Sequence, residues 1–175
     1  MLGLRRGTVV LKSYANDWAS IFESEVQLLR NKLGSSILTV EHIGSTSIPG
    51  MAAKPILDMM VGIQNMAKAD SISDDLIGIG YQRRVNGDLS DRVFLVKGHE
   101  SLRTHHLSIT YIGSSFWNEH LLFRDTLRKD AALAGEYLAL KRRLAGQFSE
   151  DRNSYTAGKQ QFVREILAAH EPSQD

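Results

Sequence analysis

The densest chemistry in the chain lies between Glu41 and Asp58, where a short apolar run ends in Gly44, Ser45, Thr46 and Ser47, with Lys54 and Asp58 following. A glycine and small hydroxyl residues at the end of a strand let a phosphate approach the backbone. Ser45, Thr46 and Ser47 can donate to its oxygens, and Lys54 can neutralise its charge. Asp58 sits inside the next apolar run, Ile56 to Ile63, where a carboxylate needs a partner. A metal ion would serve, as would a buried arginine or backbone N–H groups. Two histidines extend the set. His106 falls on the polar face of the run Thr104 to Tyr111 and approaches Asp58 if the two runs are neighbouring strands, while His42 precedes the loop. Asp58, His42 and His106 together suit manganese, zinc or another transition metal better than magnesium, although no spacing matches a zinc signature. Arg124 lies four residues after His120, on the same helix face, and is placed either to contact an anionic substrate or to pair with a carboxylate and fix helix packing.

Each of these residues also has a structural role open to it. Gly44 can simply release the chain from a strand, Lys54 can be a surface residue before Pro55, and His105 and His106 can be satisfied strand residues. The basic clusters Arg83-Arg84 and Lys141-Arg142-Arg143 read as solvated faces, and Trp117, Tyr137 and Tyr155 as core.

The elements that must position this chemistry follow from periodicity. Trp18, Phe22, Val26, Leu29 and Leu33 recur at helical spacing, with Asn16 or Asp17 as a cap. A strand is expected over residues 37–43 and a second, apolar on both faces, over 56–63. A helix over 67–78 and strands over 81–85, 92–97 and 104–111 come next, with Asn86-Gly87-Asp88 as a hairpin turn. The remainder is helical in pattern, with three helices expected, and residues 171–175 read as a frayed end. The order implies an α+β fold, a mixed β-sheet flanked by helices, in one domain spanning residues 1–175 whose helical C-terminal part covers 112–170.

Bulk properties narrow the function classes. A formal net charge of +1 over 175 residues lacks the excess that marks a nucleic-acid surface, and no apolar run suggests a membrane span or a leader. The absence of cysteine excludes disulfides and thiolate metal sites and fits a cytoplasmic protein.

Three segments, "EHIGSTSIPGMAAKPILD", "HLLFRDTLR" and "DRNSYTAGKQQFVREIL", together resemble the GrpB family (UPF0157 type), a bacterial group similar to the nucleotidyltransferase superfamily. The resemblance runs from about Val9 to about Leu167. It implies a nucleotidyltransferase-like sheet in which Gly44 and Ser45 hold a triphosphate and Asp58 binds a divalent metal, magnesium or manganese. The superfamily pattern places a second acid two positions after Asp58, and this chain has Met60 there, a poor ligand for magnesium. The resemblance implies metal-dependent nucleotidyl transfer to a small-molecule hydroxyl with Asp58 catalytic, and the strand-face pattern adds His106 as metal ligand or general base. The alternatives are a non-catalytic module binding a nucleotide or other phosphorylated ligand, linked to coenzyme A metabolism as family fusions to dephospho-CoA kinase suggest, and a phosphohydrolase using the same cleft.

Overall fold

The computed structural model describes residues 1–99 and 101–170; the expected frayed end at 171–175 lies outside them. Six strands form one mixed sheet. They are β1 (Leu4–Arg5), β2 (Thr39–Ile43), β3 (Leu57–Ile63), β4 (Tyr81–Arg83), β5 (Val93–His99) and β6 (Leu102–Tyr111). The order is β2-β3-β6-β5-β4, with β1 pairing with the start of β6. Among the described residues only the β3–β6 pair is parallel. Its position in the middle of the sheet explains why β3 is apolar on both faces.

One face of the sheet packs on α1 (Asp17–Leu33) and α2 (Ala69–Ile77). Val26, Leu29 and Leu33 of α1 and Ile72 and Leu76 of α2 meet Met59, Val61, Leu107 and Ile109 in the largest cluster. The expected cap at Asn16 makes no side-chain bond to the helix. The expected helix over 67–78 is a 3-10 turn followed by α2. The hairpin expected at Asn86 is instead a longer connection, held by the Asp88 carboxylate, which accepts from Phe94 N at 2.7 Å and Arg83 Nε at 2.9 Å.

The opposite face is covered unevenly, and this determines where a site can form. Helix α3 (Ser115–Lys129), capped by the Ser114 hydroxyl, lays Phe116 and Trp117 over Met60 and Ile43. Helices α4 (Ala131–Gln147), α5 (Arg152–Ala157) and α6 (Gln160–His170) stand beside the sheet, and Tyr137, Leu127, Ile48 and Met51 form a separate cluster there. The C-terminal pattern thus resolves into four helices, the last expected helix being broken at Gly158. Between α3, the later helices and the strand ends a cavity remains, floored by Asp58 and His106. No described helix is long and apolar enough to cross a membrane.

Candidate functional site: a cationic pocket around one carboxylate

Strand register builds the centre of the cavity. The antiparallel β2–β3 ladder sets Ile43 opposite Asp58, and the parallel β3–β6 ladder sets Asp58 opposite His106. Cross-strand partners share a face, so Asp58 and His106 meet over the cavity, with Nδ1 of His106 2.8 Å from Asp58 Oδ1. On the other side of the ring, Nε2 lies 3.4 Å from Arg152 Nη2. A guanidinium only donates, so Nε2 is the acceptor and Nδ1–H donates to the carboxylate: a neutral imidazole in one tautomer. Burial keeps His106 below its ordinary range, outweighing the pull of Asp58, and Arg152 and Lys54 push the same way. For Asp58 burial alone would raise the carboxyl, but the His106 hydrogen bond and the charges of Lys54 and Lys159 hold it at about 2.

Gly44 permits this approach. Its φ is +68°, and a Cβ there would fall 2.6 Å from Asp58 Oδ2. The residues after it form a 3-10 turn, Ser45–Ser47.

The cavity, of about 330 Å³, is lined by Lys54, Lys141, Lys159, Arg92 and Arg152 against a single acid, Asp58, among the described residues. The crowding is visible in the lysines. Lys54 falls to about 8 through burial and then the charges of Arg152 and Lys159. Lys141, 1% exposed, falls to about 7 through burial and then Lys159 and Lys54. Its ammonium donates to the Ala52 carbonyl at 2.5 Å. Lys159 is lowered as well, chiefly by burial. The Tyr155 ring carries Lys159 at 4.7 Å and Lys54 at 5.3 Å, while Arg92 lies against Phe94 and Phe116. Three lysines and two arginines share the one Asp58 carboxylate, so their charge is incompletely balanced, a cost in free energy that an anion would recover.

Several expectations need correction. His42 faces the other side of the sheet, stacked on Phe22 at 4.6 Å, with Nε2 2.9 Å from the Thr46 hydroxyl. The register explains this, since His42 pairs with Met59 and not with Asp58. Burial lowers it to about 4. Arg124 does not line the cavity. Its guanidinium donates to Glu41 Oε2 at 2.8 Å, Asp125 Oδ1 at 2.7 Å and the His42 carbonyl at 3.1 Å, tying α3 to β2. Ser47 turns inward, its hydroxyl donating to the Gly44 carbonyl at 2.7 Å while its own carbonyl accepts from Arg128. Thr46 borders the cavity but its hydroxyl is engaged by His42. Gly44, Ser45 and Lys54 do line it. Lys141 is not part of a solvated face but is buried at the cavity wall, and Tyr137 and Tyr155, buried as expected of core residues, line it too. His120, expected to reach a cleft from the same helix face as Arg124, does line the cavity, whereas Arg92, Arg152 and Lys159 line it without a sequence expectation behind them. Arg152, Tyr155 and Lys159, at spacings of three and four, carried a helix-face signal that could have found two of them.

The donor set does not fit a two-metal centre. Met60 occupies the position of the second acid, His42 points away from Asp58, and no group of three or more metal-ligating side chains converges among the described residues.

Residues 8–169 match the family profile described as "GrpB protein". The "Glutamate-rich protein GrpB" of Alkalihalophilus pseudofirmus is 34% identical over 95% of this chain and 98% of its own length. The crystal structure of the conserved protein GrpB from Enterococcus faecalis superposes with a TM-score of 0.83 at 36% identity, covering 91% of this chain and 96% of that one. Cid1 in complex with the UTP analogue UMPNPP has a TM-score of 0.53 at 17% identity over 83% of this chain and 48% of its own, a likeness of fold alone. The six-stranded mixed sheet flanked by helices, together with the likeness of fold to Cid1, makes the fold nucleotidyltransferase-like. The family match over nearly the whole chain, with close relatives of the same length, makes this chain a member of the GrpB family.

Proposed function

We propose that the cavity binds the phosphate group of a nucleotide or another phosphorylated small molecule, and that it does so without a metal. One observation carries this reading: five cationic side chains surround one carboxylate, and three of the five are lysines whose charge is already disfavoured by burial and by neighbouring cations. An incoming phosphate relieves that repulsion and gains charge-assisted hydrogen bonds. Ser45 and Gly44 border the same space and leave room for the anion at the strand end. The Asp58–His106–Arg152 chain holds Arg152 at the rim of the cavity and keeps Asp58 ionised, so the site stays ordered around the ligand.

Metal-dependent nucleotidyl transfer is the second reading. It is favoured by the position of Asp58 beside the Gly44-Ser45 loop in a nucleotidyltransferase-like fold. It is weakened by the missing second acid at Met60, and by His106 having both ring nitrogens engaged, Nδ1 by Asp58 and Nε2 by Arg152.

Calorimetric titration with ATP, CTP, GTP and UTP in EDTA, followed by incubation with magnesium, manganese or zinc and product analysis, separates the two. Binding in EDTA without later turnover supports the binding module. Binding that requires a metal, with release of pyrophosphate, supports transfer. No binding of the nucleotides in either condition, with none of inorganic phosphate in a parallel titration, overturns both.

A further inference from the structure

A second cavity, of about 780 Å³, adjoins the first, and Arg152 and Thr156 line both. Its wall carries Arg6, Arg103 and Arg152. Two carboxylates border it as well, but Asp151 is engaged within its own helix, accepting from Asn153 N at 3.1 Å, Ser154 N at 3.0 Å and the Ser154 hydroxyl at 2.6 Å. That leaves Glu150 against three guanidinium groups. Among the described residues neither Arg6 nor Arg103 belongs to an ion pair.

The clustering is built by the sheet. Strand β1 pairs with β6 so that Leu4 faces Arg103 and Arg5 faces Leu102, which sets Arg6 at the mouth of the same cavity. Arg103 lies three residues before His106 on β6, so the strand that floors the first cavity also walls the second. Burial lowers Arg103, and the charges of Arg152, Arg84 and Arg6 add to the effect, so four guanidinium groups act on one another here. Guanidinium forks match phosphate and carboxylate oxygens two at a time, which a cluster of lysines does not do.

We infer that the second cavity is an anion subsite, and that the ligand of the first cavity carries a second phosphate or carboxylate group, which Arg6 and Arg103 receive with Arg152 between the two sites. The inference rests on the reading of the first cavity as a phosphate site. It names the ligand class more narrowly: a small molecule with two separated anionic groups.

Linking two anionic groups makes the second contact intramolecular, so the correct spacing gains affinity and wrong spacings do not. The test titrates the protein in EDTA with propane-1,3-diyl to hexane-1,6-diyl bisphosphates and with the matching monophosphates. At least one bisphosphate is expected to bind about tenfold or more tightly than its monophosphate. Arg6→Gln and Arg103→Gln should each remove most of that gain and leave the monophosphate affinity unchanged. Arg6 is exposed and Arg103 half-buried, so both variants are expected to fold, and thermal unfolding checks this. Monophosphate binding with no gain from any second phosphate would overturn the subsite alone. So would a gain that survives both substitutions. Failure of the monophosphates and bisphosphates alike would overturn the phosphate reading of the first cavity and the subsite with it. Affinity for an oligonucleotide that keeps rising beyond two phosphates would replace the two-point ligand with a nucleic-acid strand.

Discussion

Between pH 7 and pH 9 the pocket should lose most of its affinity for a phosphate group. In the ligand-free protein Lys141 lies at about 7 and Lys54 at about 8, because burial and neighbouring cations disfavour their charged forms. A bound dianion favours those charges and returns both groups towards the ordinary lysine value, so binding takes up protons. For each lysine the affinity falls as the factor one plus ten to the power (pH minus pKa) rises. Between pH 7 and pH 9 that factor grows about tenfold for Lys54 and about fiftyfold for Lys141. The combined loss is about 500-fold if both fully regain their protons, and about tenfold if only Lys54 does. The phosphate, with a second pKa of about 6, stays a dianion across this window and contributes little to the slope. Calorimetry in buffers of different ionisation enthalpy reads both quantities, the affinity and the protons taken up, with an uptake of about one to one and a half protons expected at pH 8. A flat affinity from pH 7 to pH 9 with no proton uptake would refute the argument, because it would mean that no lysine in the pocket senses the ligand.

Three further outcomes follow from the geometry. Gly44→Ala places a Cβ 2.6 Å from Asp58 Oδ2 at a φ of +68°, so denaturant unfolding should show a loss of about 1–3 kcal/mol, and phosphate binding should weaken as Asp58 is displaced. Arg124→Ala leaves Glu41 without its cation and Asp125 with only the longer contact to Arg128, and should cost about 2 kcal/mol in the same assay while changing phosphate affinity less than twofold, about 0.4 kcal/mol, since Arg124 does not line the cavity. His42 and His105 are both depressed to about 4, chiefly by burial, against 6.5 for the unfolded chain. Below pH 6.5 the unfolded chain therefore binds more protons, and stability falls as pH drops from about 6.5 to about 4. His42→Gln should flatten that limb, as read from urea midpoints across the range; an unchanged limb would exclude His42 as a source.

The sequence makes some of this arrangement legible. An apolar run with one aspartate and an alternating run with His106 on its polar face were enough to suggest neighbouring strands, and the parallel register of β3 and β6 pairs those two residues. Alternation alone does not say which face of β2 looks into the cavity, because that depends on Ile43 rather than His42 pairing with Asp58. The short β1 lacked a pattern long enough to read, being two residues whose partners lie about a hundred positions away. The four-residue spacing puts Arg124 and His120 on one helix face, but only His120 lines the cavity, and the role of Arg124 is set by Glu41, 83 positions earlier in the chain. The cations were the least legible part. Lys141 sits in a run of three basic residues that ordinarily marks solvent, and only the packing of α4 beside the Ala52 carbonyl turns it inward. Arg152 opens α5 and Lys159 lies in the turn between α5 and α6, and their approach to the strand ends is a tertiary fact.

The central claim, that cationic side chains rather than a metal hold a phosphate in this cavity, is tested most directly by titrating wild-type protein and Lys159→Met with ATP in EDTA at pH 7. Loss of one charged contact is worth about 1.5–3 kcal/mol, so the variant should bind about 10–150-fold more weakly while the wild type binds without added metal. Wild-type binding that appears only with magnesium, or equal affinities for the two proteins, would contradict the account.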